Sequence, residues 1–256
     1  MEEITTYLIA LVSGGAIWEG LKFFYPDIKR PIQARIDAKK SFYKNLDPIL
    51  KSANEFYGKI ESLSKEDFST FIAPANSNSK KPEHNQNYIC YLFAQFWAQL
   101  EYLRLESQYT SLSRINKGEE LLKFIDTIES RKYRILDRSL QRIIGESLIT
   151  EEKQKFRVLT LKEFLDGVNN PESTLSNWIN YLKEVLNNTS DKEQRQIILR
   201  FGIIVTALME HFDPKYKTVR QRSVYKNKLN PKSKRIIKEH LMKRYLSFVK
   251  KKDRYY

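Results

Sequence analysis

The longest apolar stretch of the chain comes first. From Ile4 to Tyr25 (ITTYLIALVSGGAIWEGLKFFY) only Glu19 and Lys22 are charged. As a helix these 22 residues measure about 33 Å, against a hydrocarbon core of roughly 30 Å. The strictly uncharged part, Ile4 to Trp18, covers about 22 Å. Two placements satisfy this pattern. One is a membrane span with Glu19 and Lys22 at an interface beside an aromatic belt of Trp18, Phe23, Phe24 and Tyr25; the other is a helix lying on the membrane or buried in a soluble core. Glu19, close to one end, is expected to be interfacial or paired with Lys22.

Beyond Pro26 the period is helical. Ile28 to Leu63 reads as helix punctuated by Pro31 and Pro48, each tolerated in a first turn. Within it Ile49, Leu50, Ala53, Phe56, Tyr57, Ile60 and Leu63 recur every three or four residues. Ser64 and Asp67 have the spacing of a capping box for a short helix over Lys65 to Ile72. Ala73 to Gln86 is rich in Pro, Asn, Ser and Lys and predicts an exposed loop. From Tyr88 to Leu112 a helix apolar almost all round is expected at the centre. Lys117 to Ile149 holds two amphipathic pieces with a weak point near Arg134 and Gly145. Phe156 to Leu161 has strand-like content and is compatible with a small hairpin; Lys162 to Val168 makes one or two helical turns. Asn169 to Pro171 break the chain before helices at Glu172 to Leu186 and Asp191 to Phe212, the latter ended by Asp213 and Pro214.

Composition supports an all-α fold of six to eight bundled helices without internal repeats, since Gly and Pro number only 8 each in 256 residues. The single cysteine, Cys90, lies in the apolar run YICYLF; it excludes a disulfide framework within the chain and suits a reducing cytoplasm. The net charge of +14 is concentrated. Residues 215–256 carry 16 Lys or Arg against Glu239 and Asp253, which leaves 29 residues of each sign in the first 214. The organisation expected is thus an N-terminal membrane helix (1–26), a helical bundle (27–214) and a basic tail (215–256).

Met1, Glu2 and Glu3 do not make the positive start of a cleaved signal peptide. Lys22, Lys29, Arg30, Arg35, Lys39 and Lys40 follow the first run and no Lys or Arg precedes it, so the positive-inside rule predicts a single-pass protein of the inner membrane with its mass in the cytoplasm. Small residues at Ala10, Gly14 and Gly20 give one helix face the spacing used for close self-association in lipid, and hence a route to homo-oligomers. Small residues are also simply common in membrane helices.

In the tail, Pro231 to Lys252 predicts an amphipathic helix with Ile237, Leu241, Tyr245, Phe248 and Val249 on one face. Its back carries Lys232, Lys234, Arg235, Lys238, Lys243, Arg244, Lys250, Lys251 and Lys252, with Lys226 and Lys228 just ahead. Such a helix can lie on anionic lipid, contact nucleic acid phosphates with Tyr216, Tyr225, Tyr245, Tyr255 and Tyr256 interleaved, meet a protein partner, or pack on its own bundle. His84, His211 and His240 lack metal-ligand spacing. Glu101 and Arg104 can pair on one face of the central helix, with Glu106 close by. No phosphate loop, nucleophile elbow or paired-carboxylate motif occurs, so neither enzyme nor cofactor is expected.

Three patches, YLFAQFWAQLEYLRLES (Tyr91 to Ser107), QRIIGESLI (Gln141 to Ile149) and RQIILRFGIIVTALMEHFDP (Arg195 to Pro214), are similar to segments of uncharacterised bacterial proteins with one N-terminal membrane helix and an all-helical cytoplasmic domain. The resemblance covers about half the chain and implies that architecture, but no activity and no functional residue. The expectation is a membrane-anchored helical binding or scaffold module whose tail contacts anionic lipid or a partner. Two contrasting readings are a membrane-disrupting effector of an antiphage system and a soluble nucleic-acid-binding protein.

Overall fold

The computed structural model describes the backbone of residues 2–69, 81–107, 112–152 and 155–256, and the side chains of those ranges except 2–28 and 81–84. The described residues are predominantly helical, with eight α-helices and one hairpin. Helix α1 runs without a break from Glu2 to Lys65. At 1.5 Å per residue it is about 96 Å long. The expectation of punctuation at Pro31 and Pro48 is therefore corrected. An interior proline costs about 3 kcal/mol, whereas one buried Leu or Ile contributes about 1.5–3 kcal/mol. Around Pro48, Leu46, Ile49, Leu50 and Ala53 are all buried, and together they outweigh the loss.

The predicted capping box at Ser64 is a helix end instead of a start. Ser64 Oγ turns back to donate to the Glu61 carbonyl (2.7 Å). Asp67 and Phe68 take left-handed conformations (φ 49° and 62°), and the Phe68 N–H donates to the Leu63 carbonyl at 2.9 Å. Burial of the Phe68 ring holds this turn.

Helix α2 (Lys81–Ser107) begins inside the segment expected to be loop, while residues 70–80 lie outside the described residues. It is buried from Ile89 to Leu103 apart from single polar faces, as its all-round apolar pattern required. A 3₁₀ turn (Leu112–Arg114) leads to α3 (Asn116–Glu129) and α4 (Arg138–Ser147). The weak point predicted at Arg134 is real, a turn between α3 and α4. Gly145 breaks nothing; it lets α4 cross α2, because a Cβ there would press on the Trp97 backbone and Glu101.

Strands β1 (Ile149–Glu152) and β2 (Lys155–Val158) pair antiparallel, Ile149 opposite Val158 and Glu152 opposite Lys155. Helix α5 (Leu161–Asn169) starts with a complete capping box of Thr160 and Glu163. Helix α6 (Thr174–Asn187) is capped by Ser173, and α7 (Lys192–Phe212) by Asp191. Helix α7 is buried on every face from Ile198 to Met209, where Phe201 joins Phe56, Phe93 and Phe96 in an aromatic cluster with the Phe56 and Phe93 ring centroids 4.4 Å apart.

Residues 215–256 are no loose appendage. Val219, Tyr225, Leu229, Ile237, Leu241, Met242, Leu246, Val249 and Tyr255 belong to the same hydrophobic core as α1, α2 and α7. An irregular strap over 216–230 is tied down by Tyr57 Oη donating to the Ser223 carbonyl (2.9 Å), Ser223 Oγ donating to Glu61 (2.6 Å) and Arg222 Nε donating to Asn54 (3.0 Å). Gln196 clamps its end, donating to the Lys228 carbonyl and accepting from the Asn230 N–H.

The tail helix differs from expectation in winding. After one α-helical segment, α8 (Pro231–Ile236), it continues as a π-helix over Ile237–Tyr245. The wider turn replaces the predicted Leu241-to-Tyr245 step with a Leu241-to-Leu246 step, closed by the Leu246 N–H on the Leu241 carbonyl (2.8 Å). Tyr245 is consequently exposed, and Met242 and Leu246 occupy the core.

Gly202 sits directly under the strap, where a Cβ would overlap the Tyr225 hydroxyl. Gly202→Ala should cost about 1–3 kcal/mol in urea unfolding by overpacking. In a Tyr225→Phe background that cost should shrink markedly. An equal cost in both backgrounds would rule out the tight contact.

Candidate anion-binding surface on the C-terminal segment

With its apolar side in the core, the C-terminal segment presents its cations outward. The eleven between Lys226 and Lys252 fall into two groups. Lys228 pairs with Asp67 (2.9 Å), Lys232 with Glu193 (3.2 Å) and Lys243 with Glu239 (2.6 Å). Lys226 and Lys252 donate to the carbonyls of Asp253 and Ser247, and Lys238 lies over the Tyr256 ring. These six are engaged within the molecule. By contrast Lys234, Arg235, Arg244, Lys250 and Lys251 have no acidic partner among the described residues, and all but Lys234 are exposed. Five unneutralised cations on one segment form a surface suited to polyanions.

Beside this surface is a pocket of about 270 Å³ lined by Lys117, Glu210, His211, Tyr216, Lys250, Lys251 and Arg254. Two of its rim residues, Tyr216 and Lys251, are left-handed (φ 52° each). Such non-glycine conformations persist only where surrounding contacts hold them. At Tyr216 the contact is Glu210, which accepts from Tyr216 Oη (3.2 Å) and Tyr255 Oη (2.7 Å) and pairs with Arg254 (2.9 Å). Asp213 shapes the same turn by accepting from the N–H groups of Lys217, Thr218 and Val219. Burial works to raise its pKa, and these three bonds bring it below the ordinary value.

His211 stands at the back of the pocket, ringed by Phe124, Phe212 and Phe248. Its Nε2 is 2.9 Å from Glu120 and 3.2 Å from Lys117 Nζ. Burial first, then Lys117 and Lys250, push its pKa down against the opposing pull of Glu120, so the ring is neutral at pH 7. A neutral ring donates to Glu120 through Nε2–H. The pocket thus sets Glu210 in its lining, and Glu120 behind His211, against Lys117, Arg254, Lys250 and Lys251, with a surplus of positive charge.

Of the other polar candidates, Glu101 and Arg104 do pair, but they belong to a larger network that the sequence did not reveal. Glu129, buried at the end of α3, accepts from Arg104, Arg138 (2.7 Å) and Arg142 (2.8 Å). Burial opposes its ionisation, and the arginines, Arg142 and Arg104 foremost, outweigh that to hold its pKa below the usual value. Glu101 goes the other way: burial raises it despite Arg104. This network locks α2, α3 and α4 together. Glu106 takes Lys44 (2.8 Å) and Tyr102 at the surface. Burial pushes the Cys90 thiol up to about 12, which leaves it an inert core group.

Ala10, Gly14 and Gly20, the candidates for helix self-association, fall in side chains outside those described, as does His84. Among the described residues no helix is long and apolar enough to cross a membrane, and the Ile4–Tyr25 side chains lie outside that description. Among the described residues no group of three or more His, Cys, Asp or Glu gathers as a metal site. No protein family, curated protein or solved structure matches the chain.

Glu129 ties acid stability to this network. Its folded pKa is depressed, so its contribution is fully present above the ordinary value near 4.5 and is lost as pH falls through the folded value. Glu129→Gln should cost about 3 kcal/mol at pH 7, since three arginines lose their shared partner, and should flatten the slope of stability against pH below about 4.5. An unchanged acid slope in the variant, followed by circular dichroism, would count against the assignment.

Proposed function

We propose that this chain is a membrane-anchored, non-enzymatic helical binding module of a bacterial inner membrane. The Ile4–Tyr25 run holds it there, and the cationic side of the bundle faces anionic headgroups in the cytoplasm. The observation that carries this reading is the continuity of α1. One rod contains both the apolar run and the buried face that begins at Ala38. Between Tyr25 and Ala38 lies a stretch of about 20 Å. Lys29, Arg30 and Arg35 are exposed along it, together with Ile32 and Ile36.

The rod leaves the bundle at the end where Phe42 meets Phe212 (5.8 Å) and Lys117 covers Phe212 (5.5 Å). Lys117 also lines the pocket of Lys250 and Lys251. The partnerless lysines and the emerging helix therefore share one end of the molecule. A rod perpendicular to the bilayer would hold that end about 20 Å away, beyond a Debye length of about 8 Å. A tilted rod brings the basic end to the headgroups and lays Ile32 and Ile36 against the interface. Each Lys or Arg so placed is worth about 1 kcal/mol on an anionic leaflet.

Fractionation tests this directly. The full-length chain should stay in the membrane pellet through high salt and carbonate, and a chain starting at Asp27, which removes no described core side chain, should be soluble. Release by salt, with nucleic acid co-purifying, would overturn the reading in favour of nucleic acid binding.

A further inference from the structure

Near the middle of α7, one charged side chain has no counter-ion. Arg200 is only 7% exposed and pairs with no carboxylate among the described residues. Its Nη1 donates to Ser233 Oγ (3.1 Å), and its Nε has no partner. Glu193, the acidic group that acts on it electrostatically, is spent on Lys232 at the surface. A buried guanidinium left uncompensated costs several kcal/mol, and buried charges are normally paired.

Tyr133, fully buried in the turn between α3 and α4, is close enough to Arg200 to interact electrostatically, and its hydroxyl also lacks a partner. Burial is the chief reason its pKa is raised, so the hydroxyl keeps its proton and is a donor. Its ring stands edge-on to Tyr245 (5.8 Å), in the π-helical turn of the tail. Over this place the surface is cationic. Slight desolvation and then Lys132, Arg244 and Arg235 depress His240, with only Glu239, itself held by Lys243, opposing them. Extended π winding is rare and recurs at functional sites.

We propose that Arg200, Tyr133 and Ser233 form an anion site that takes a phosphate group, with Lys132, Arg235 and Arg244 at its rim. The unsatisfied groups are donors: Arg200 Nε–H, the Tyr133 hydroxyl and the free hydrogen of Ser233 Oγ. Water would bring its own protons into this set. A tetrahedral oxyanion offers acceptors in every direction and supplies the missing charge, and arginine is the side chain best matched to it. The site stands independently of the membrane reading, since the phosphate can come from free phosphate or from a lipid headgroup.

The test uses the full-length chain in detergent at pH 7, with chloride exchanged for inorganic phosphate at constant ionic strength. Thermal unfolding should move upward saturably with phosphate. Tyr133→Phe, which keeps the ring, should weaken the apparent affinity about 10–100-fold, the effect of one hydrogen bond to a charged group. Arg200→Gln should abolish saturation. Competition by phosphatidylglycerol vesicles but not phosphatidylcholine vesicles identifies the headgroup as the source, and its absence identifies free phosphate. No shift beyond that in chloride, or an equal shift in the parent chain and Tyr133→Phe, overturns the proposal. Because Tyr133→Phe preserves packing, that outcome stays readable even where Arg200→Gln fails to fold.

Discussion

Burial of α7 on every side is the constraint on which the other elements depend. A surface helix needs cover along one stripe; a helix buried from Ile198 to Met209 must be enclosed. Helices α1 and α2 close two sides through the Phe56, Phe93, Phe96 and Phe201 cluster, and α3 closes another through Phe124 and Phe212. The remaining side is closed by the strap and tail, where Tyr225 donates to the Leu199 carbonyl and Ser233 accepts from Arg200. The tail is thus recruited for its apolar residues. Since 16 of its residues are basic, covering α7 with it necessarily coats that side of the molecule with cations.

This coupling changes what the basic segment can do. An amphipathic helix that inserts into lipid must offer its apolar face, yet Ile237, Leu241 and Leu246 are already committed to the core. What remains is electrostatic contact by a rigid cationic back, which salt screens and which carries no sequence specificity of its own. Specificity has to come from concave, desolvated places. The structure offers a pocket at Lys117, His211 and Lys251 and a desolvated, unneutralised cation at Arg200. In the first, acidic residues already balance part of the charge. In the second, no carboxylate among the described residues pairs with the guanidinium.

Much of the fold was legible because hydrophobic period decides helix type and face locally. The spans of α3, α4, α6 and α7 follow from apolar spacing, and Asp137, Ser173 and Asp191 cap the last three by accepting N–H groups of their first turns. What was illegible depends on partners far along the chain. Ser64 looked like a cap, but its hydroxyl turns back to the Glu61 carbonyl at a helix end held by the buried Phe68 ring, and the expected box residue Asp67 holds Lys228, 161 positions away. The lysines were visible as charge, but nothing local separates Lys232, neutralised by Glu193 from another helix, from Lys234, which has no acidic partner among the described residues. Arg200 had a signal that periodicity passed over: a cation between Leu199 and Phe201 in a run apolar on both flanks.

The winding of the tail follows from the same competition. An α-helical continuation would place Tyr245 below Leu241 and leave Leu246 outside. The π-helix reverses that choice, and the gain is the full burial of an aliphatic side chain, about 1.5–3 kcal/mol, against weaker hydrogen-bond geometry over two turns. It also sends Tyr245 outward against Tyr133, so that a tyrosine edge and Arg244 stand at the surface beside a turn whose buried hydroxyl is unsatisfied among the described residues. Packing of the core and exposure of Tyr245 and Arg244 are therefore set by a single change of helical pitch.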